Sequence, residues 1–485
     1  MRRWLRVFHA LKGWKVMPGQ RMFVCENIFL GKILISRFIN PNNNKSWNNA
    51  MPVYLKKAAK TASTNQDSVR ATVADILDNI RERGEAAVRE YAAKFDHYTR
   101  EFILPEDEIR QLIASVPQQV KDDIAFAYDQ VCGFALKQRE SLHEFETELY
   151  PGVTLGQRLV PCKCAGCYVP GGRFAHAASA IMSVATSKAA GVPFVVACSP
   201  PRGNSINPAV AYALTLAKAD AILPLGGVQA IASMAFGLFT GKPADIIVGP
   251  GNALVAEAKR LLFGEIGIDV FAGPTESMII ADRTADPMFV AVDLVSQAEH
   301  GVDSPVWLVT DSRTLGEKVI EVVPKVINDL PHPQVASSSW NDYGEVILCQ
   351  DHNEMAEVSD DYAAEHVQVL AEDLDWYLDR LENYGSLFLG EACTVAYGDK
   401  VSGTNHILPT KKAGRYSGGL NVGKFIKTLT YQRLTPDANR KIGAVASRIS
   451  RVEGMEGHAR SADIRLRKYF PNEQYDFEVY RQKHY

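Results

Sequence analysis

Two possible metal ligands stand one helical turn apart in the segment Gln297-Ala298-Glu299-His300-Gly301. The apolar residues before it recur at helical spacing, and residues three apart on a helix share a face. Gln297 and His300 can therefore hold one cation together, with the imidazole as the stronger ligand and the amide oxygen as an unusual companion. A histidine in the last turn before a glycine also suits the helix dipole without any metal, so the pair alone leaves both interpretations open.

Further acidic and histidine residues follow this pair along the chain. They are Glu365, His366, Asp399, His406, Glu453 and His458. Imidazole and carboxylate groups are ligands of zinc, and histidine and glutamate are common acid/base groups of enzymes. The set as a whole therefore favours metal-assisted acid/base chemistry.

The elements that must position these residues change in type along the chain. From Asp67 to Glu140 apolar residues recur at helical spacing. After Val153 short β-branched runs alternate with helical patterns, and a second such block begins at Ser277. Alternation of strands and helices with short turns predicts parallel sheets covered by helices. The expected fold class is α/β, with two Rossmann-like parallel-sheet domains between helical N-terminal and C-terminal segments.

Two glycine-containing turns stand where a predicted strand leads into a predicted helix. They are Gly226-Gly227-Val228-Gln229 and Gly249-Pro250-Gly251-Asn252. Backbone N–H groups at such helix starts attract phosphate groups. Neither turn has the G-x-G-x-x-G spacing, and tight turns need glycine in any case, so spacing alone leaves nucleotide binding open.

Composition excludes several classes of protein. The 485 residues are 46% hydrophobic and 22% charged, with a net charge of −3, which is typical of a soluble globular protein and provides no basic field for nucleic acid. No apolar run approaches the ~20 residues that a membrane-spanning helix needs. The eight cysteines are dispersed apart from Cys162, Cys164 and Cys167, and we expect thiols in a reducing compartment rather than disulfides. A metal cluster of these three cysteines is the less favoured alternative.

Residues 1–50 differ in composition from the rest of the chain. Nine lysines and arginines are opposed by Glu26 alone. The basic composition is typical of a mitochondrial presequence, whereas the asparagine-rich end and the lack of an amphipathic repeat fit a disordered extension or a wrongly chosen start codon. We slightly favour the second interpretation and expect a cytoplasmic protein; a presequence would make it mitochondrial.

Several motifs together resemble the histidinol dehydrogenase family. They are Tyr168-Val169-Pro170-Gly171-Gly172, the Gly249–Asn252 turn, Phe271-Ala272-Gly273-Pro274-Thr275-Glu276, Ser296–Gly301, Glu365-His366 and Ser402-Gly403-Thr404-Asn405-His406. Their order and spacing match from about Tyr54 to the C-terminus. The segments 396–400 and 408–420 are most similar to the sulfopropanediol dehydrogenase branch of that family. Thr275 replaces a serine that is usual in histidinol-oxidising members, and those members lack the basic segment.

The resemblance implies roles for individual residues. It places zinc ligands at Gln297, His300, Asp399 and His458, the acid/base pair at Glu365 and His366, substrate contacts at Thr275, His406 and Glu453, and dinucleotide contacts at Tyr168, Gln229 and Asn252. The family forms homodimers in which the C-terminal segment completes the partner's site. Glu453 and His458 are therefore expected to act in trans.

The implied activity is oxidation of a primary alcohol through a bound aldehyde to a carboxylate, with Zn²⁺ and NAD as cofactors. Lys411, Lys412 and Arg415 follow His406 closely, and a guanidinium can bind an acidic group through two hydrogen bonds. We therefore expect at least one of these three residues, with Arg415 as the named candidate, to contact a small, anionic, sulfopropanediol-like alcohol. The alternatives are an L-histidinol dehydrogenase of histidine biosynthesis and a non-catalytic relative that binds ligands. The second is disfavoured because the zinc ligands and Glu365-His366 are all present.

The resemblance also divides the chain into five expected parts. They are a basic extension (1–50), a helical part that joins the first α/β domain (51–167), a Rossmann-like dinucleotide-binding domain (168–276), a second α/β domain with the zinc and catalytic residues (277–420), and a C-terminal helical dimerisation segment (421–485).

Overall fold

The computed structural model describes residues 52–60, 66–171, 175–270 and 273–475. The predictions about residues 1–50 lie outside these ranges. The strands, numbered β1 to β14 in chain order, are Val53–Lys56, Phe145–Tyr150, Val153–Pro161, Cys164–Tyr168, Phe194–Cys198, Ala221–Leu223, Ile246–Val248, Gly267–Ile268, Ser277–Ala281, Val306–Thr310, Glu345–Leu348, His366–Leu370, Ser386–Leu389 and Ile426–Leu434.

The α-helices of the described part connect and flank these strands. They are Gln66–Arg83, Glu85–Tyr91, Glu106–Ala114, Gln118–Glu140, Ala177–Ala189, Pro208–Leu216, Gly227–Phe236, Ala253–Leu262, Pro287–Ala298, Arg313–Asn328, Pro333–Tyr343, His352–Tyr362, Leu374–Arg380, Val395–Lys400, Asn439–Val452 and Glu456–Tyr469. A π-helical turn spans Ala92–Asp96, and short 3₁₀ turns span Ala413–Arg415 and Val422–Phe425. None of the helices in these ranges is long and apolar enough to cross a membrane.

The first parallel sheet has the order β6-β5-β4-β7-β8. Strand β4 comes first in the chain. Strands β5 and β6 lie on one side of it, and β7 and β8 lie on the other side. The order therefore reverses between β4 and β7, where the carboxyl ends of the strands leave a crevice that suits a ligand. This topology agrees with the predicted Rossmann-like domain, although β4 begins at Cys164, four residues before the expected boundary.

The second sheet repeats the same topology. Its order is β1-β11-β10-β9-β12-β13, so β9 to β13 occupy the same relative places as β4 to β8. Strand β1 adds to the edge antiparallel to β11, with Val53 opposite Leu348. Residues 53–56 therefore belong to the second sheet. The expected part 51–167 had assigned them to the first domain instead. A strand of four residues is too short to show the apolar alternation by which a strand is recognised in a sequence, and its partner strand is far away along the chain.

A third, antiparallel sheet was not predicted. Strand β14 pairs with β3 along its whole length, from Ile426 opposite Pro161 to Leu434 opposite Val153, and β2 pairs with the other side of β3. The segment 421–485 is therefore not helical throughout, because two helices follow a nine-residue strand. Threonine, leucine and tyrosine in β14 suit a strand, but the interspersed basic residues and exposed faces conceal the usual apolar alternation.

The cysteine cluster is divided between two cores. Cys162 and Cys167 pack in the hydrophobic core beneath one face of the first sheet, and Cys164 packs in the core on the opposite face. Cys164 and Cys167 are three residues apart in β4, so alternation along the strand places them on opposite faces, whereas Cys162 precedes the strand. The cysteines of the described residues are free thiols, as expected, and Cys162, Cys164 and Cys167 do not converge on a metal.

Candidate functional site

The acid/base pair lies at the amino edge of the second sheet. His366 is the first residue of β12 and lies opposite Ser277, the first residue of β9. Glu365 and Glu276, the residues immediately before them, are joined by a hydrogen bond of 3.1 Å from the Glu276 N–H to Glu365 Oε2. The His366 N–H donates to the Glu276 carbonyl at 3.1 Å. Strand pairing thus holds the backbone of Glu365-His366 rigidly in place.

The imidazole of His366 lies between two carboxylates. Its Nδ1 is 3.8 Å from Glu365 Oε2, and its Nε2 is 3.6 Å from Asp399 Oδ1. Both ring nitrogens are buried and have no hydrogen-bond partner among the described residues. Burial opposes protonation of His366, but the charges of Glu365 and Asp399 outweigh it and raise the pKa of the ring above its ordinary value. The ring is therefore disposed to accept a proton.

Asp399 connects this pair to the predicted metal ligands. Its Oδ2 is 3.8 Å from His300 Nε2, on the side opposite His366. Burial opposes ionisation of Asp399, but His366, His406 and His300 outweigh it, and the pKa of the carboxyl is lowered to about 2. Asp399 is consequently a carboxylate at neutral pH, shared between two histidines.

His406 holds Asp399 in place. The carbonyl of Asp399 can only accept, so His406 Nδ1–H donates to it at 2.8 Å, and Nε2 then accepts from the Ser179 hydroxyl at 2.9 Å. Burial lowers the pKa of His406, in agreement with this neutral form. The neighbouring Asn405 donates to the Met182 carbonyl at 2.9 Å. The loop is therefore fixed to the buried helix Ala177–Ala189 of the first domain.

Gln297 and His300 lie at the end of helix Pro287–Ala298, as the spacing predicted. Gln297 is 2% exposed, and its Oε1 has no hydrogen-bond partner among the described residues. A buried carbonyl oxygen without a donor is costly unless a cation or another donor contacts it. Burial lowers the pKa of His300, which leaves the imidazole neutral and able to act as a ligand. The residues present therefore fit a zinc ion held by Gln297, His300 and Asp399.

His458 does not join this group within one chain. In the described ranges no three His, Cys, Asp or Glu side chains come close enough to hold a metal. His458 and Glu453 are exposed, at the start of helix Glu456–Tyr469 and in the turn before it. That helix packs on Asn439–Val452 through Leu466. A site of four protein ligands would therefore need His458 from a second copy of the chain.

A cleft of about 540 Å³ runs beside His300. One wall comes from the first domain, with Gly251, Asn252 and the start of helix Ala253–Leu262, and the other includes Pro274 and Lys411. Asn252 caps that helix by accepting the Val255 N–H at 3.1 Å. Thr275 lies between Pro274 and the buried Glu276 and is half-buried. The cleft thus joins the crevice of the first sheet to His300, one of the predicted metal ligands.

Each of the two glycine turns already donates a backbone N–H to a carboxylate. Asp96, which sequence reasoning missed, accepts the Gly226 N–H at 3.2 Å and the Gln229 side-chain amide at 2.9 Å. Tyr168 is buried and its hydroxyl accepts the Gly227 N–H at 3.2 Å. A carboxylate therefore already occupies the start of helix Gly227–Phe236. In the Gly249–Asn252 turn the Gly249 N–H likewise donates to a carboxylate, Asp269 Oδ2, at 2.7 Å. Only Gly251 and Asn252 of this turn line the cleft, so a phosphate would have to use the N–H groups after Gly249.

The basic segment divides between the cleft and the surface. Arg415 donates to the Asp361 carbonyl at 3.0 Å and is exposed, outside the residues that line the cleft. Lys411, in contrast, lines the cleft together with His300. The structure therefore does not bring Arg415 to the other predicted site residues. Lys411 lies in the cleft, where Arg415 was expected.

Two buried glutamates complete the site, one of which sequence reasoning did not select. Burial raises the pKa of Glu365 to about 8 and that of Glu276 to about 7. Glu276 accepts the Lys411 N–H at 3.0 and 3.1 Å. The signal available in the sequence was an acidic residue directly before a buried strand.

Comparison with known proteins identifies the family of the chain. The family model described as histidinol dehydrogenase matches residues 59–466. The chain is 56% identical over 426 residues to sulfopropanediol 3-dehydrogenase of Ruegeria pomeroyi, covering 87% of this chain and 98% of that protein. It is 56% identical over 420 residues to a histidinol dehydrogenase homolog of Pelagibacter ubique, covering 86% and 98%.

A solved structure has the same fold. The histidinol dehydrogenase of Elizabethkingia anophelis superimposes with a TM-score of 0.79 and 31% sequence identity, covering 85% of this chain and 94% of that one. The predicted α/β fold, the resemblance drawn from the motifs and the expectation of a dehydrogenase are confirmed. The chain belongs to the histidinol dehydrogenase family.

Proposed function

We propose that the protein is a zinc- and NAD-dependent dehydrogenase that oxidises the primary alcohol of a small anionic substrate, through an aldehyde, to a carboxylate. The observation that carries this proposal is the line of side chains Glu365, His366, Asp399 and His300, with successive separations of 3.8, 3.6 and 3.8 Å. It joins a buried acid/base pair to possible metal ligands beside one cleft.

His366 is proposed to accept the proton of the substrate hydroxyl. Its ring is buried, its nitrogens have no hydrogen-bond partner among the described residues, and the adjacent carboxylate of Asp399 stabilises the imidazolium that forms. Strand pairing between β9 and β12 prevents the residue from moving away from this carboxylate. A fixed base avoids the entropy cost of positioning it during the reaction.

Glu365 is proposed to act in the second half of the reaction. A water molecule would add its oxygen to the aldehyde carbon while Glu365 takes one proton from it, which gives the anion of the hydrate. Loss of a hydride from this anion to the second NAD would yield the carboxylic acid, which ionises to the carboxylate. The raised pKa of about 8 makes the ionised Glu365 a stronger base than an ordinary carboxylate. Burial of Glu365 and His366 also limits access of bulk water to the aldehyde.

The two cofactors have separate places in this proposal. Gln297, His300 and Asp399, with the partner's His458, would hold zinc, and the Gly249–Asn252 turn would receive a phosphate of the dinucleotide. Zinc would supply a Lewis acid that fixes and polarises the substrate, and NAD would supply the hydride acceptor for each of the two oxidations. Tyr168 accepts the Gly227 N–H, and Gln229 donates to Asp96 at the same turn. Both residues are proposed to contact the dinucleotide.

A homodimer is part of the proposal because one chain leaves Glu453 and His458 apart from the site. The helix pair that carries them exposes the apolar side chains of Ile449, Met455 and Ile464, which are 53%, 44% and 64% exposed. Exposed apolar side chains grouped on one helical hairpin are suited to burial against a second copy. Such an arrangement would bring Glu453 to the substrate and His458 to the metal.

The anionic substrate is supported by the name of the relative that is 56% identical, sulfopropanediol 3-dehydrogenase, and by Lys411 in the cleft. The alternative is L-histidinol, which the name of the similar solved structure suggests. A non-catalytic ligand-binding protein is the remaining alternative. It is disfavoured because Glu365 and His366 are present and buried together.

The test is a direct assay of the purified protein loaded with zinc. NADH formation is followed with sulfopropanediol, with L-histidinol and with neutral diols, and the ratio of NADH formed to substrate consumed is measured. The proposal expects turnover of sulfopropanediol with two NADH per substrate. One NADH per substrate would refute the carboxylate product, and turnover of L-histidinol alone would refute the anionic substrate. Absence of turnover with every substrate in a zinc-replete protein would favour the non-catalytic alternative.

A further inference from the structure

Lys411 and Lys412 have an unusual backbone conformation. Their φ angles are 52° and 65°, in the left-handed region that residues with a Cβ seldom adopt. Two consecutive residues in this region store strain that the surroundings must offset, and such strain is often found at ligand-binding positions. The segment is therefore held in its conformation by something other than local preference.

Glu276 is one group that holds it. Both carboxylate oxygens of Glu276 accept the Lys411 N–H, at 3.0 and 3.1 Å, and the glutamate is 8% exposed. On the other side Thr410 Oγ1 accepts the Gly273 N–H at 2.5 Å. Gly273 and Glu276, which precede β9, are thus hydrogen-bonded to Thr410 and Lys411, two residues joined by one peptide bond.

The surroundings fix the direction of the Lys411 side chain as well as the conformation of its backbone. It lies over Gly273, where a Cβ would be only 2.5 Å from Lys411 Cε. Because Gly273 has no side chain, the lysine stem can pass close to the backbone and reach the cleft. The ammonium lines this cleft with His300, and it forms no hydrogen bond or ion pair within the described residues.

The other charges of the cleft do not neutralise this ammonium directly. Arg260 lines the cleft but is paired with Glu257, with its Nε 2.6 Å from Glu257 Oε2. Asp303 also lines it, and no ion pair joins Asp303 to Lys411 within the described residues. Lys411 therefore places a positive charge beside a predicted metal ligand; this charge interacts with the buried Glu276 but forms no ion pair within the described residues.

We propose that Lys411, held by Glu276 and by the space over Gly273, is the residue that selects the acidic group of the substrate. This inference rests on the proposed function, because it assumes that the substrate occupies the cleft beside His300. The acidic group is predicted to be a sulfonate or carboxylate carried by a small diol. Lys411, and not Arg415, is proposed to bind this group. A cationic substrate would be repelled by the same ammonium.

The test uses Lys411→Ala with Lys412→Ala as its matched control. Both positions carry a lysine at positive φ and are exposed, so both substitutions have a similar backbone cost, but only Lys411 lines the cleft. The substrates are 2,3-dihydroxypropane-1-sulfonate and propane-1,2-diol, which differ by the sulfonate. The zinc-loaded enzyme is assayed with NAD at fixed ionic strength and again at high salt.

We expect Lys411→Ala to raise the KM for the sulfonate by about tenfold, the loss of one hydrogen bond between charged groups, with little change for propane-1,2-diol. Lys412→Ala should leave both values unchanged. High salt should raise the sulfonate KM of wild type and Lys412→Ala more than that of Lys411→Ala, because salt screens the charge that the substitution removes. Glu276→Ala should raise the sulfonate KM as Lys411→Ala does, although it leaves the lysine in place, because the Lys411 N–H loses its acceptor.

Two results would overturn the inference. One is an unchanged sulfonate KM in Lys411→Ala, and the other is a KM that rises for NAD instead of the sulfonate, which would place the ammonium on the cofactor. If wild type oxidises none of the substrates, the proposed function fails separately. Calorimetric binding of the sulfonate to zinc-loaded wild type and Lys411→Ala then decides the role of Lys411, since equal or absent binding would refute it.

Discussion

His366 and His300 approach opposite oxygens of the same carboxylate, Asp399, with Nε2 of His366 at 3.6 Å from Oδ1 and Nε2 of His300 at 3.8 Å from Oδ2. A cation held by His300 and Asp399 would therefore be one carboxylate away from the proposed base. This arrangement couples metal binding to proton transfer, because any change in the charge on Asp399 alters the basicity of His366.

The first prediction concerns zinc. His300→Ala removes the histidine proposed to bind zinc together with Gln297, and we expect the zinc affinity to fall by at least about tenfold. Metal content after dialysis, measured by elemental analysis, checks this. His143→Ala is the control, because His143 is exposed and lies outside the site. Stoichiometric zinc and full activity in His300→Ala would contradict the assignment.

The second prediction separates the two oxidations. Glu365→Gln keeps the size of the side chain and an oxygen to accept the Glu276 N–H, but it cannot take a proton from water. We expect oxidation of supplied aldehyde to slow by about 10²–10⁴-fold, the usual contribution of a general base, while alcohol oxidation is affected less. Trapping of the aldehyde with a hydrazine during alcohol oxidation provides a second measurement. Aldehyde oxidation at the wild-type rate would exclude Glu365 as the base.

The third prediction concerns pH. Burial raises the pKa of Glu365 to about 8, and a general base works only when deprotonated, so aldehyde oxidation should increase as the pH rises towards 8 and level off above it. The buried Glu276 and His366 also face this group, and Glu365→Gln, which lacks the titrating carboxyl, tests their contribution. The rate of that variant should lose the rise towards pH 8. A rise that persists unchanged in the variant would assign it to another group.

The fourth prediction concerns the turn that faces the cleft. Gly249 has φ 123°, and a Cβ there would lie 2.0 Å from the Tyr168 carbonyl oxygen. Gly249→Ala should therefore destabilise the fold by about 1–3 kcal/mol or more, in addition to weakening NAD binding. Gly203→Ala is the control, since Gly203 also has positive φ but nothing within 4 Å of the added Cβ. Thermal unfolding of the two variants should differ clearly; equal melting temperatures would contradict the prediction.

The parallel sheets could be predicted because their signal is local. Each β-branched run is bounded by turns and followed by a helical pattern, as in Phe194–Cys198 before Pro208–Leu216. The pairing of β14 with β3 could not, because Ile426 meets Pro161 only through the tertiary fold. The same limit applies to Asp96, which reaches Gly226 from a turn distant in the chain.

The candidate site was predictable to a similar degree. Gln297 and His300 share a helix, and Glu365 and His366 are adjacent, so each pair follows from local spacing. That Asp399 lies between the two pairs needed the family resemblance. The choice of Lys411 over Arg415 needed the structure, because two positive φ angles redirect the segment in a way that charge alone does not indicate.

The last prediction concerns completion of the site by a second chain. If Glu453 and His458 act in trans, His300→Ala and His458→Ala carry their defects on different sides of the same interface. In a heterodimer of the two, one site then receives both substitutions and the other receives neither. Mixing the two inactive proteins under conditions that exchange subunits should restore activity to about a quarter of wild type, because about half of the dimers are mixed and each has one intact site.

The control for this experiment is a mixture of His300→Ala with Asp399→Ala. Both residues lie on the same side of the proposed interface, 3.8 Å apart in one chain, so each site of a mixed dimer keeps one defect and no activity should return. Recovery with His458→Ala but not with Asp399→Ala would place His458 in the partner's site. If His458→Ala restores nothing while subunit exchange is verified by a mass tag, the two histidines do not act across the interface, and the fourth zinc ligand must be sought elsewhere.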